Sequence, residues 1–142
     1  MKIIKFIVYG DAISRKNKIA INKYSHKPYM YKAADSERWE NSVTGQALKY
    51  KPDKLISGEI KLGMKFYRSV PKSTSNKKRE LMLNNIIRPA KKPDLDNLIK
   101  SLKDSLKGVF FVDDSQIIEY LTGTGKYYSE IPRVEIEVHY DT

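Results

Sequence analysis

Five residues between positions 94 and 114 have the types and spacing to do chemistry: Asp94, Asp96, Lys100, Asp113 and Asp114. Carboxylate oxygens are what a hard divalent cation such as magnesium takes as ligands, usually one or two of them with water and phosphate oxygens. A cation held this way activates water and offsets the charge that develops on a phosphate under attack. Lys100 follows Asp96 by one helical turn, so its ammonium can reach the same phosphate and stabilise the transition state or the leaving oxygen. The chemistry indicated is phosphodiester hydrolysis. Each residue also has a plainer reading. Asp94 can cap a helix, Asp96 suits a first turn, and Asp113-Asp114 suits a polar turn. Asp96 with Lys100 alone would be a surface ion pair worth roughly 0.3 kcal/mol. The set outweighs its members because the acids are drawn together in an otherwise basic chain. If the chain doubles back after the helix, three carboxylates, Asp94, Asp96 and one of Asp113 and Asp114, can converge on one cation.

The element that must position them is a helix over 96–107. Leu95, Leu98, Ile99, Leu102 and Leu106 fall on one stripe, and Asp96, Lys100, Lys103 and Lys107 on another. Gly108 ends it, and residues 109–112 form an apolar link to the acidic pair. Before this stretch, 2–9 reads as a strand and 14–18 as a basic loop. Residues 19–32 read as a loose hairpin about His26-Lys27-Pro28, with Tyr and Lys interleaved. Residues 34–50 read as a helix capped by Asp35 or Ser36, with Trp39, Val43, Ala47 and Tyr50 facing the core. Residues 58–68 alternate as a strand buried on one face. Residues 69–92 read as a mobile basic arm with a short helix near 74–83, capped by Ser73 or Thr74. Residues 116–127 and 132–140 read as two antiparallel strands. Strands and helices without strict alternation indicate a single α+β domain over 1–142.

Of the 142 residues, 27 are Lys or Arg and 17 Asp or Glu, for a net charge of +10. The excess is concentrated. Residues 69–107 carry ten basic side chains against four acids, whereas 108–142 carry two against seven. A basic balance of this kind favours a nucleic-acid partner. The absence of cysteine excludes disulfides and thiolate chemistry, and the two histidines stand too far apart in sequence to suggest an imidazole metal site. No apolar run is long enough to span a bilayer, and 1–9 is too short and charged for a signal peptide, so no membrane partner and a cytoplasmic location are expected.

Lys92-Pro93-Asp94-Leu95-Asp96-Asn97-Leu98-Ile99-Lys100, followed by Leu102, Asp104, Leu106 and Phe111-Val112-Asp113-Asp114-Ser115-Gln116-Ile117, closely resembles the RusA family of Holliday junction resolvases. The resemblance implies a mixed sheet with helices packed largely on one face. It implies a magnesium-dependent endonuclease, with manganese as a substitute, acting as a homodimer on four-way DNA junctions. Such an enzyme nicks two strands of like polarity symmetrically and leaves a 5′-phosphate. Asp94, Asp96 and Asp114 match the family's metal-binding carboxylates and Lys100 its catalytic lysine. Asp113 matches the neighbouring acid, and the choice between Asp113 and Asp114 stays open. Arg15, Lys16, Lys72, Lys77, Lys78, Arg79, Arg88, Lys91, Lys92 and Lys126 are the expected DNA contacts. Two other readings compete: a non-catalytic DNA-binding accessory protein, and a nuclease for flaps or other branched DNA.

Overall fold

Alternation of apolar side chains builds the sheet. In the computed structural model, which describes residues 1–14 and 17–141, the chain runs β1 (Lys2–Tyr9), β2 (Asn17–Ile21), β3 (Pro28–Lys32), α1 (Ala34–Ala47), β4 (Ile60–Ser69), α2 (Asn76–Leu83), α3 (Leu95–Leu106), β5 (Ile117–Tyr120), β6 (Gly125–Ser129) and β7 (Arg133–Tyr140). Arg15 and Lys16 lie outside the described residues. Phe6 and Val8 of β1, Ile60, Leu62, Met64 and Phe66 of β4, and Val134, Ile136 and Val138 of β7 all turn to one face and are buried. On that face α1 lays down Trp39, Val43 and Ala47, and α3 lays down Leu98, Ile99, Leu102 and Leu106. Each Val, Leu, Ile, Met or Phe among them contributes about 1.5–3 kcal/mol by leaving water. Phe6 stacks between Tyr50 at 5.2 Å and Phe110 at 5.1 Å, so Phe110 and the equally buried Phe111 close the core. This is the expected α+β arrangement, a mixed sheet with its main helices on one face. No described helix is long and apolar enough to cross a membrane.

The strand order departs from the expectation. The two C-terminal strands do not pair with each other. β7 lies between β1 and β4, antiparallel to both, while β5 and β6 run parallel to β4 along its other edge. The cause is the connection. Parallel pairing needs a long crossover, and the chain between β4 and β5 supplies one that carries α2 and α3. β7 has the most regular alternation and takes the inner position. The shorter β5 and β6 take the edge, where a broken ladder is tolerated. Between them Leu121 N–H still donates to Leu62 C=O at 3.0 Å, and the Thr124 hydroxyl accepts from Met64 N–H at 3.3 Å. Gly63 makes room for this kink, since a Cβ there would lie 3.1 Å from Leu121 Cδ1.

Local caps also differ from expectation. The α1 N-cap is Ala33, without a side-chain bond, and Asp35 and Ser36 fall in the first turn. The α2 cap is Ser75, whose hydroxyl accepts from Lys78 N–H at 3.4 Å. Gly10 ends β1 with φ +124°, a conformation that favours glycine, and a Cβ there would meet the Trp39 ring at 3.0 Å. Among the described residues, β2 and β3 pair only with each other. The hairpin's root is tied down by an ion pair between the Lys32 ammonium and the buried Glu40 carboxylate.

Candidate active site

The crossover from β4 to β5 positions the acids. α3 starts at Asp94, which holds the N-cap position, yet its carboxylate makes no capping bond. Asp94 borders a cleft of about 500 Å³ with Ser14, Arg68, Lys92, Pro93 and Asn97. Arg68 comes from the C-terminal end of β4. Its guanidinium donates to the Ala12 carbonyl and lies 3.8 Å from the Asp11 carboxylate, which fixes a cation in the cleft wall. Asp96 stands in the first turn of α3 and Lys100 one turn on, both exposed. Farther along the same stripe, the Lys103 ammonium donates to the Tyr120 hydroxyl at 3.0 Å and Lys107 pairs with Asp113 at 3.3 Å.

The loop that delivers Asp94 is held from β6. The Lys126 ammonium donates to the carbonyls of Lys91 at 2.8 Å and Pro93 at 3.0 Å. Arg88 donates to the Lys126 carbonyl at 2.8 Å and stacks on the Tyr127 ring at 4.0 Å. Arg79 pairs with Glu130 at 3.1 Å. Three of the expected DNA contacts, Arg79, Arg88 and Lys126, are therefore engaged by the protein itself. Lys72, Lys77, Lys78, Lys91 and Lys92 are exposed. Replacing Lys126 with Met removes two charge-assisted bonds and is expected to cost about 1–2 kcal/mol. Thermal melting checks the stability loss. If the lysine positions Asp94, catalytic turnover falls further than DNA affinity does.

The acidic pair divides its labour. Asp113 caps the one-turn 3-10 helix at Asp114–Gln116 in a reciprocal box with Gln116. The Gln116 amide in turn donates to the carbonyls of Ile56 at 2.6 Å and Gly58 at 3.0 Å. The Ser115 hydroxyl, then the Ser115 N–H, then Lys107 hold the Asp113 carboxyl below its ordinary 3.8, at about 2. A lowered folded-state value means that the cap is fully present above pH 3.8 and is lost as pH falls through about 2. Carboxyl-carbon NMR is expected to titrate Asp113 near the lower value. A midpoint at the ordinary value would show that the cap does not form in solution. Asp114 is only half-buried, but its Oδ1 is shut away from water with no hydrogen-bond partner.

The two ends of α3 do not meet. A 12-residue helix is roughly 18 Å long. The sheet says the same. Arg68, beside Asp94, and Ile60, paired with Ile117 just past Asp114, are separated along β4 by roughly 26 Å at about 3.3 Å per residue. Among the described residues, no three His, Cys, Asp or Glu side chains stand close enough together to hold a metal ion. The chain folds forward along α3 and does not double back. The donors nonetheless suit a hard cation. Asp94 is free of a capping bond, Asp114 presents an orphaned buried oxygen, and magnesium needs only one or two carboxylates beside phosphate oxygens. Arg68 and Asn97 were not singled out as site residues from the sequence. Asn97 lies inside the acidic motif, whereas nothing in the linear pattern marks Arg68, the end of a strand, as a neighbour of Asp94.

Comparison with known proteins identifies the family. A family model described as endodeoxyribonuclease RusA matches residues 12–139. The uncharacterized protein YqaN of Bacillus subtilis (strain 168) is 36% identical over 140 residues, covering 97% of this chain and 96% of that one. The chain belongs to the RusA endodeoxyribonuclease family.

Proposed function

We propose that the protein is a magnesium-dependent endonuclease that resolves four-way DNA junctions as a homodimer. In this reading each active site combines Asp94, Asp96 and Lys100 of one protomer with the partner's Asp114. The observation that carries it is the placement of uncommitted carboxylates at opposite ends of α3, in a chain whose family cleaves DNA. One copy alone leaves each half incomplete. A second copy related by a two-fold axis completes both halves at once and matches two symmetric nicks in a two-fold substrate. Apolar surface surrounds the Asp114 end: Leu55, Val112 and Ile118 are each more than two-fifths exposed. A second copy would cover them.

Asp94, Asp96 and the partner's Asp114 would hold the cation, with manganese as a substitute. Magnesium bound there supplies Lewis acidity toward the scissile phosphate. The chain's own groups do the rest. Arg68, fixed in the cleft wall, orients a phosphate oxygen. Water adds to phosphorus as the P–O3′ bond breaks, Lys100 stabilises charge on the leaving 3′-oxygen, which takes up a proton, and the products are a 5′-phosphate and a 3′-hydroxyl. The exposed Lys72, Lys77, Lys78, Lys91 and Lys92 neutralise backbone phosphates of the arms. The test is a strand-labelled four-way junction, a flap and a linear duplex, each incubated with magnesium, manganese or chelator. Paired nicks at symmetric positions of the junction are expected. Equal cleavage of flap and junction would favour a general branched-DNA nuclease. Tight binding without cleavage under any metal would favour a binding module.

A further inference from the structure

We infer that the β2–β3 hairpin is a branch-point wedge, whose tip Tyr24 stacks on a base freed where the junction arms meet and whose aliphatic face lies against the end base pair of an arm. The inference rests on the junction-nuclease reading above and extends it to a surface far in sequence from the acids. The antiparallel register pairs Ile19 with Met30 and Ile21 with Pro28, so these four share one face, and Lys18, Ala20, Tyr29 and Tyr31 share the other. Ile19, Ile21 and Met30 are 69–70% exposed and Tyr24 is 88% exposed. A two-stranded hairpin that packs neither face on a core is marginal alone, and a concentrated apolar surface of this kind marks an interaction site.

The tip is nevertheless built. Asn22 Oδ1 accepts from Tyr24 N–H at 2.8 Å and Ser25 N–H at 2.9 Å, and Asn22 N–H donates to the Lys27 carbonyl at 2.8 Å. His26 takes φ 57° to close the turn. The root is clamped by Lys32 on Glu40. A turn ordered this well, with a tyrosine held outward at its end, is organised before its partner arrives, which lowers the entropy lost on binding.

Charge selects the partner. From 17 to 32 the chain carries Lys18, Lys23, Lys27 and Lys32 and no acid. In a two-fold contact a second copy would bring the same lysines and no acid to this face, whereas a polyanion is attracted. Aromatic rings stack on any base, and Ile, Met and Pro are side chains that proteins insert between base steps. Opening a stack is costly in a continuous duplex and cheap at a branch, where stacking is already interrupted. The hairpin would therefore read structure and not sequence.

The test uses full-length protein in chelator, so that no cleavage intervenes, with a four-way junction carrying 2-aminopurine at the branch and a duplex of the same sequence. Wild type is expected to prefer the junction and to change the 2-aminopurine emission. Tyr24→Ala is expected to lose about tenfold in junction affinity, with duplex affinity within about twofold and Tyr24→Phe restoring the loss. The triple variant Ile19→Ser, Ile21→Ser, Met30→Ser should lose the emission change. Equal losses on junction and duplex would overturn the wedge, as would unchanged junction affinity in Tyr24→Ala. A triple variant that turns monomeric while Tyr24→Ala keeps the full emission change would assign the face to a second copy and also overturn it. A wild type with no junction preference would overturn the junction-nuclease reading itself, and the wedge with it.

Discussion

Asp96→Asn is expected to lose nicking of a four-way junction by about two to three orders of magnitude. Its affinity for the same junction stays level or rises. Asparagine keeps the size and the helix position but not the charge, so a cation at this end of α3 loses a ligand. The exposed basic side chains proposed to meet the DNA backbone are untouched. Removing a negative charge beside the scissile phosphate also removes a repulsion. The two readouts therefore move apart, nicking down and binding level or up. The same assay on Asp114→Asn gives the same separation if its orphaned oxygen serves the cation. Asp113→Asn should retain nicking, because that carboxylate is occupied by its own turn. Equal nicking by wild type and Asp96→Asn would remove Asp96 from the site.

The second expectation is a recovery. Asp96→Asn and Asp114→Asn protein, each inactive alone, are mixed under conditions that exchange subunits. In a heterodimer with shared sites, one site collects both substitutions and the other collects neither. Half of the dimers are mixed and each has one intact site, so the mixture regains about a quarter of wild-type nicking, as single nicks and not pairs. If each chain built its own site, every site in the mixture would carry a substitution and nothing would return. The measurement is a strand-resolved nicking assay before and after exchange. It isolates the consequence of α3 holding its acids roughly 18 Å apart.

What was legible in the sequence follows from the range of each interaction. The alternation in 133–140 and 60–66 and the leucine stripe of α3 are local, and they appear where expected. The partners of β5, β6 and β7 are set by packing among residues far apart in sequence, and no period in 116–140 records that β4 lies between β6 and β7. The ion pair of Lys32 with Glu40 joins the hairpin to α1 and is non-local in the same sense. The separation of the acids is legible in the sequence. Asp96 stands in the first turn of a recognisable helix and Asp113 lies beyond its end, and the rise of that helix keeps them apart. Proximity in sequence does not make the acids neighbours in space. The hairpin was legible as interleaved Tyr and Lys, but only the fold shows that its Ile19, Ile21 and Met30 stay largely exposed.

Trp39, the protein's single tryptophan, rests against Gly10 at the start of the loop whose residues 12–14 form one wall of the Asp94 cleft. That contact makes the indole an optical gauge of the cleft. A phosphate or cation that displaced this loop would change what the ring touches, and a change in its emission is then expected. Red-edge excitation, which passes over the tyrosines, would report entry into the cleft in unlabelled protein. The signal is separate from any event at the hairpin tip, where the fluorophore would be in the DNA.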